Sequence, residues 1–175
     1  GSPMNAIEDN RWSRAFRDLA RALPRPRAIL AVSAHWYVEG TFATASERPE
    51  TIHDFGGFPE ALYRVQYPAP GDPALARRVR RLVGEDRAAL RADWGLDHGT
   101  WSVLVHLLPA ADVPVVQLSI DARLAPEEHL ALGRTLADTF AHALTRALAG
   151  ALVFSALFGV VTAWRIIAPL RPAVS

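Results

Sequence analysis

The chain of 175 residues contains no cysteine. That absence excludes disulfides and thiolate metal sites, so any metal must rest on histidine or carboxylate ligands. It is compatible with a reducing compartment, and a cytoplasmic protein is the expectation. An excess of one charge is missing too: 19 basic residues face 18 acidic ones, for a formal net charge of +1. A balance this even provides no bulk attraction to nucleic acid, and no such partner is expected. There is no glycine-rich phosphate loop, no Gly-x-Ser-x-Gly elbow and no His-Glu-x-x-His, so the common signatures of nucleotide binding, serine hydrolysis and zinc proteolysis are absent. No internal repeat or low-complexity linker divides the chain. The opening Gly1-Ser2-Pro3-Met4 has no initiator Met and no charged n-region; it does not read as a signal peptide, and the chain is expected to begin inside a motif.

What is present is ordinary globular material, with 50% hydrophobic and 21% charged residues, enough to build a core. Apolar residues at Trp12, Ala15, Phe16, Leu19, Ala20 and Leu23 place one face of a helix over 8–23, stopped by Pro24 and Pro26. Residues 27–33 form a short apolar run that suits a central parallel strand, which puts His35 at or just past a strand's carboxyl end, where open sheets carry their sites. Weaker strands are expected at 41–45 and 88–92. Asp72-Pro73 opens a helix reaching about Val83, with Asp as cap and Pro at the first helical position. Residues 99–108 read as a helix, 113–120 as a second buried strand, and a long helix follows from about Ala125. Strands alternating with helices predict an α/β fold with a mostly parallel central sheet and helices on both faces. The α/β domain is expected over 1–140, followed by an apolar helical tail over 141–175. Within the tail, 147–164 carries no charge and is flanked by Arg146 and Arg165; a core or interface helix is preferred there to a marginal membrane span.

With cysteine excluded, the chemistry falls to six histidines, at 35, 53, 98, 106, 129 and 142. His35, His53 and His98 fall in loops or at strand ends beside aromatic or glycine-rich neighbours. Imidazole is both a ligand for Fe(II) and Zn(II) and the natural acid/base near neutrality. His106 lies on an apolar helix and reads as a core or boundary residue, His129 as solvated, and His142 as structural or exposed.

Seven segments in order resemble one family. They are Gly1 to Ala6, Leu23-Pro24-Arg25-Pro26, Val32-Ser33-Ala34-His35-Trp36, the loop Thr51 to Pro59, Tyr67 to Gly71, Trp94 to Trp101, and Pro114 to Asp121. Together they are similar to class III extradiol ring-cleavage dioxygenases of the 4,5-DOPA type over roughly 1–135. The resemblance implies part of the subunit-B-like fold of those enzymes. It implies oxygen-dependent opening of a catecholic ring, DOPA- or protocatechuate-like, on a divalent metal, Fe(II) or Zn(II). It carries metal ligation to His35, the acid/base role to His98, and a place beside the substrate to His53, Asp54 and Phe58. The partners it implies are a small catechol and O₂, with a homo-oligomer compatible. The family also has a metal-binding His directly before Gly-Ser-Pro and a Val-His-Asn motif after the helix near 125–140; neither appears in this chain. With His35 as the one family ligand present, weak metal binding is expected. The alternative is an inactive remnant of the fold, serving as a binding, interaction or membrane-associated chain.

Overall fold

The computed structural model describes residues 2–147 and 151–155. Its centre is a five-stranded sheet built from β1 (Ala28–Val38), β2 (Thr41–Thr44), β3 (Ala88–Arg91), β4 (Val115–Asp121) and β5 (Ala151–Ser155), in the order β3-β2-β4-β1-β5. β1 runs parallel to β4 and to β5, and β2 runs parallel to β3. The one antiparallel seam joins β2 to β4 at Ala43 and Leu118. The mostly parallel sheet expected from the alternation of elements is therefore present. β4 is buried at every position, which is why its sequence shows no polar face for solvent.

Among the described residues, five α-helices accompany this sheet: α1 (Arg11–Ala22), the single turn α2 (Glu60–Tyr63), α3 (Pro73–Val83), α4 (His98–Leu107) and α5 (Pro126–Ala147); α3, α4 and α5 touch its strands, and α1 packs on α4. Side chains alternate across the strands, so the sheet feeds two cores. Ile29, Ala31 and Val115 join Trp101, Leu104 and Leu107 of α4 on one face. Leu30, Val116 and Leu118 join Leu75, Ala76 and Val79 of α3, with Leu136 of α5, on the other. Each fully buried large side chain contributes on the order of 1.5–3 kcal/mol by leaving water, and these two layers fix the helices to both faces.

The elements begin where capping dictates. α1 starts at Arg11, three residues later than its periodicity suggests, because Asn10 accepts from the amides of Trp12 and Ser13 while the Ser13 hydroxyl accepts from the Asn10 amide. Asp72 caps α3 through the Leu75 amide, with Pro73 at the first helical position, as the sequence suggests. α4 starts one residue early, at His98, because Asp97 takes the cap.

Two expectations are corrected. His35 does not lie past the end of its strand: β1 continues to Val38 and holds His35 within it. The apolar tail is not helical throughout: α5 ends at Ala147, and Ala151–Ser155 is a strand. Val153 and Phe154 favour extended backbone, and β1 offers that segment an edge whose N–H and C=O groups need partners; the register runs from Ala28 beside Ala151 to Val32 beside Ser155. The rest of 147–164, for which a helix was preferred to a membrane span, lies outside the described residues apart from Ala147. Among the described residues, no helix is long and apolar enough to cross a membrane.

Candidate active site

The site grows from an irregularity in β1. Between Val32 and Tyr37 the chain takes five steps while β4 takes only two, from Leu118 to Ile120. The surplus residues cannot pair, so this stretch of strand bulges and re-aims its side chains. Ser33 and Trp36 turn inward and become buried, and His35 is left exposed.

Opposite this bulge stands the N-terminus of α4. Asp97 caps the helix and His98 is its first residue. The two imidazoles meet there, with the ring centroids of His35 and His98 3.7 Å apart. Asp54, from the loop after β2, closes the group: its Oδ1 lies 2.8 Å from Nδ1 of His98 and accepts the His98 amide at 2.9 Å. The pairing places the ring proton on Nδ1 and leaves Nε2 as the basic nitrogen of the neutral ring. Burial pushes the Asp54 carboxyl up, but the two hydrogen bonds from His98 outweigh it and hold the group below its ordinary range. Desolvation lowers the pKa of His35, helped by the neighbouring His98 and opposed by Asp54. His35 is thereby kept neutral, which is the form that binds metal.

A ring-lined wall flanks the pair. Phe55 meets His98 edge-on at 5.4 Å, and Phe58 and Tyr63 pack on Phe55 at 5.3 and 5.1 Å. His53 belongs to this wall, 5.5 Å from Trp101 and 5.7 Å from Phe55, with its Nε2 held 3.0 Å from the Val65 carbonyl. One ring nitrogen of His53 is therefore engaged by backbone.

Beneath both histidines lies a polar network inside the protein. Ser33 donates to Asp97 Oδ1 at 2.7 Å and accepts the His35 amide at 3.2 Å. Gln117 of β4 donates to Asp97 Oδ2 and accepts from the Thr100 hydroxyl and the Asp97 amide. Asp97 is fully buried, and burial pushes its carboxyl up to about 6, against the hydrogen bonds from Ser33 and Gln117.

His35, Asp54 and His98 each offer one ligand atom, and those atoms lie within 4.8 Å of one another. Two imidazoles and a carboxylate, without thiolate, suit a divalent iron or zinc ion. A metal fits beside this group, but Asp54 and His98 already satisfy each other directly, which leaves His35 as the side chain free to hold it.

Residues 5–147 match the family described as the catalytic LigB subunit of aromatic ring-opening dioxygenase. The chain belongs to that family. Among its LigB relatives, one from Escherichia coli named 4,5-DOPA dioxygenase extradiol is 54% identical over 138 residues, covering 78% of this chain and 51% of the relative. A relative of the same name from Beta vulgaris is 41% identical over 143 residues, covering 78% and 53%. A crystal structure of an uncharacterized Escherichia coli protein superposes with a TM-score of 0.67 at 43% identity, over 87% of this chain and 55% of that one. The chain thus spans about half the length of the curated LigB relatives it matches.

The structure brings His35, Asp54 and His98 together, with His53 and Phe58 in the adjoining wall. Of the other histidines, His106 ties the N-terminal turn Pro3–Ala6 to α4, with Nε2 2.7 Å from the Asn5 carbonyl and Nδ1 3.4 Å from Arg17; this fits its reading as a boundary residue. His129 is not simply solvated, since its Nε2 lies 3.1 Å from the Asp121 carbonyl. Sequence reasoning missed the network of Ser33, Asp97, Thr100 and Gln117. Two signals point to it: an Asp directly before a helix, and a Gln inside the otherwise apolar run Val115 to Leu118.

Proposed function

We propose that this chain contributes the LigB-type centre of an extradiol dioxygenase that opens the ring of a catechol with O₂, DOPA before protocatechuate-like acids because the relatives are named for it. The observation that carries the reading is the contact between His35 and the His98–Asp54 pair, beside an aromatic wall. His35 would hold the divalent ion. Bound there, Fe(II) supplies a Lewis-acidic, redox-active point for the catechol oxygens and O₂, whereas Zn(II) supplies only the former. Nε2 of His98 accepts a phenolic proton from the catechol and holds it for return to an oxygen of the ring-opened product. Asp54 fixes the ring in the tautomer that can do so, and its negative charge stabilises the imidazolium. Phe55, Phe58 and Tyr63 offer ring edges and faces against which a flat aromatic substrate packs, and they exclude water from the cleft.

The chain alone and a chimera carrying the remaining segments of the Escherichia coli relative are loaded with Fe(II) and given DOPA. Oxygen uptake is followed by electrode and the ring-opened semialdehyde by absorbance. The chimera is expected to consume one O₂ per product, and the chain alone to turn over weakly. An iron-loaded chimera that consumes no oxygen with DOPA or with protocatechuate would contradict the proposal.

A further inference from the structure

The contact between the two imidazoles is closer than side-chain packing alone requires, and one residue makes room for it. Gly99 is the second residue of α4 and lies directly over the bulge of β1. A Cβ built on Gly99 would sit 2.7 Å from Cδ2 of His35, 2.8 Å from Oγ of Ser33 and 3.2 Å from Oδ1 of Asp97. The first two distances are below any real carbon contact. All three atoms belong to side chains, but Ser33 and Asp97 are buried and hydrogen-bonded to each other, so an alanine there displaces the His35 ring and strains the Ser33–Asp97 link. The same hydroxyl of Ser33 accepts the His35 amide and donates to Asp97, and Asp97 caps the helix that begins with His98. One buried chain of hydrogen bonds therefore runs from the backbone of His35 to the backbone under His98, with the missing side chain of Gly99 between them.

We propose that Gly99, Ser33 and Asp97 are positioning residues that set the ring contact between His35 and His98. Gly99 provides clearance, and Ser33 with Asp97 ties β1 to the start of α4. The inference rests on the dioxygenase reading for its purpose, but the contact itself is a property of the metal-free chain. Gly99 needs no unusual backbone, so alanine is favoured there by helix propensity. The methyl group overpacks the buried Ser33–Asp97 link as well as the His35 ring, so its effect falls on the histidines and in part on stability.

The test uses the 175-residue chain without metal, labelled for nuclear magnetic resonance. The wild type should show cross-peaks between ring protons of His35 and His98. Gly99→Ala should lose them while remaining folded, with a lowered melting temperature. In a His35→Ala background the Gly99→Ala methyl group still meets Ser33 and Asp97 but no imidazole, so it should cost less than in the wild type and the two changes should be non-additive in stability. Ser33→Ala, which adds no bulk, should weaken the same cross-peaks. Zn²⁺ titration gives a second readout, in which Gly99→Ala should lower affinity roughly 10–100-fold, the range for losing support behind a ligand. Cross-peaks that persist unchanged in Gly99→Ala would overturn the proposal. If Gly99→Ala fails to fold, unchanged cross-peaks in Ser33→Ala would do the same. If the contact responds as described while the iron-loaded chimera shows no ring opening, the dioxygenase reading fails and the positioning role stands.

Discussion

Asp97→Asn probes the polar network through the pH dependence of stability. Asp97 is fully buried, and its carboxyl rises from an ordinary 3.8 to about 6 in the folded protein. A raised carboxyl favours the fold in its neutral form. Its contribution is complete below the unfolded value of 3.8 and is lost as pH rises through about 6. The shift is worth about 3 kcal/mol at roughly 1.4 kcal/mol per unit. For a single site with these values, the loss is about 1 kcal/mol at about pH 4.5 and about 3 kcal/mol at about pH 7.5. Asparagine does not titrate, so the stability difference between Asp97→Asn and wild type should move by about 2 kcal/mol in favour of the variant across that interval. Any fixed cost of altered hydrogen bonds appears as a constant offset and does not affect the slope. His35 and Asp54, both shifted down, lose stability as pH falls, but they are common to both proteins and largely cancel. Urea unfolding at a series of pH values measures the difference. Parallel curves, agreeing within about 0.5 kcal/mol after the offset, would refute a buried, proton-binding Asp97.

Two further outcomes concern the core and the wall. Trp101 is fully buried and its Nε1 donates to the Ile52 carbonyl at 2.9 Å, so Trp101→Ala should cost about 3–5 kcal/mol in denaturant unfolding, and a cost below about 1 kcal/mol would contradict its place in the core. Phe58 packs on Phe55 at the outer side of the wall; in the active chimera Phe58→Ala should raise KM several-fold with kcat nearly unchanged, the signature of lost uniform binding, and a drop in kcat at constant KM would place Phe58 in the chemistry instead.

Periodicity and capping carried most of the fold. The Asp72-Pro73 start, the apolar runs of β1 and β4 and the strand–helix alternation are local signals, and the structure follows them. The end of β1 was not legible, because a bulge depends on how β4 pairs and not on the sequence of β1 alone. Strand β5 was hidden for a related reason: a short, mostly apolar run suits helix or strand equally, and the open edge of β1 decides. For the site, motif resemblance marked His35, His53, Asp54, Phe58 and His98, and these side chains lie near one another. The hydrogen bonds among them were not readable. That Asp54 holds Nδ1 of His98, and that His53 spends a ring nitrogen on a backbone carbonyl, follows from loop packing between residues far apart in sequence. Gly99 reads in the sequence as the start of a helix, and only the proximity of β1 gives it and Asp97 their further meaning.

The division of labour between His35 and His98 is the central claim, and turnover at equal metal content tests it most directly. In the iron-loaded chimera, metal is assayed in each sample and the rate of semialdehyde formation is divided by the iron present. His98→Ala should retain its iron and turn over DOPA roughly 10²–10⁴-fold more slowly, the range for losing a general acid/base, whereas His35→Ala should lose the iron itself. His98→Ala that sheds iron as His35→Ala does, or that keeps iron and full turnover, would contradict the assignment.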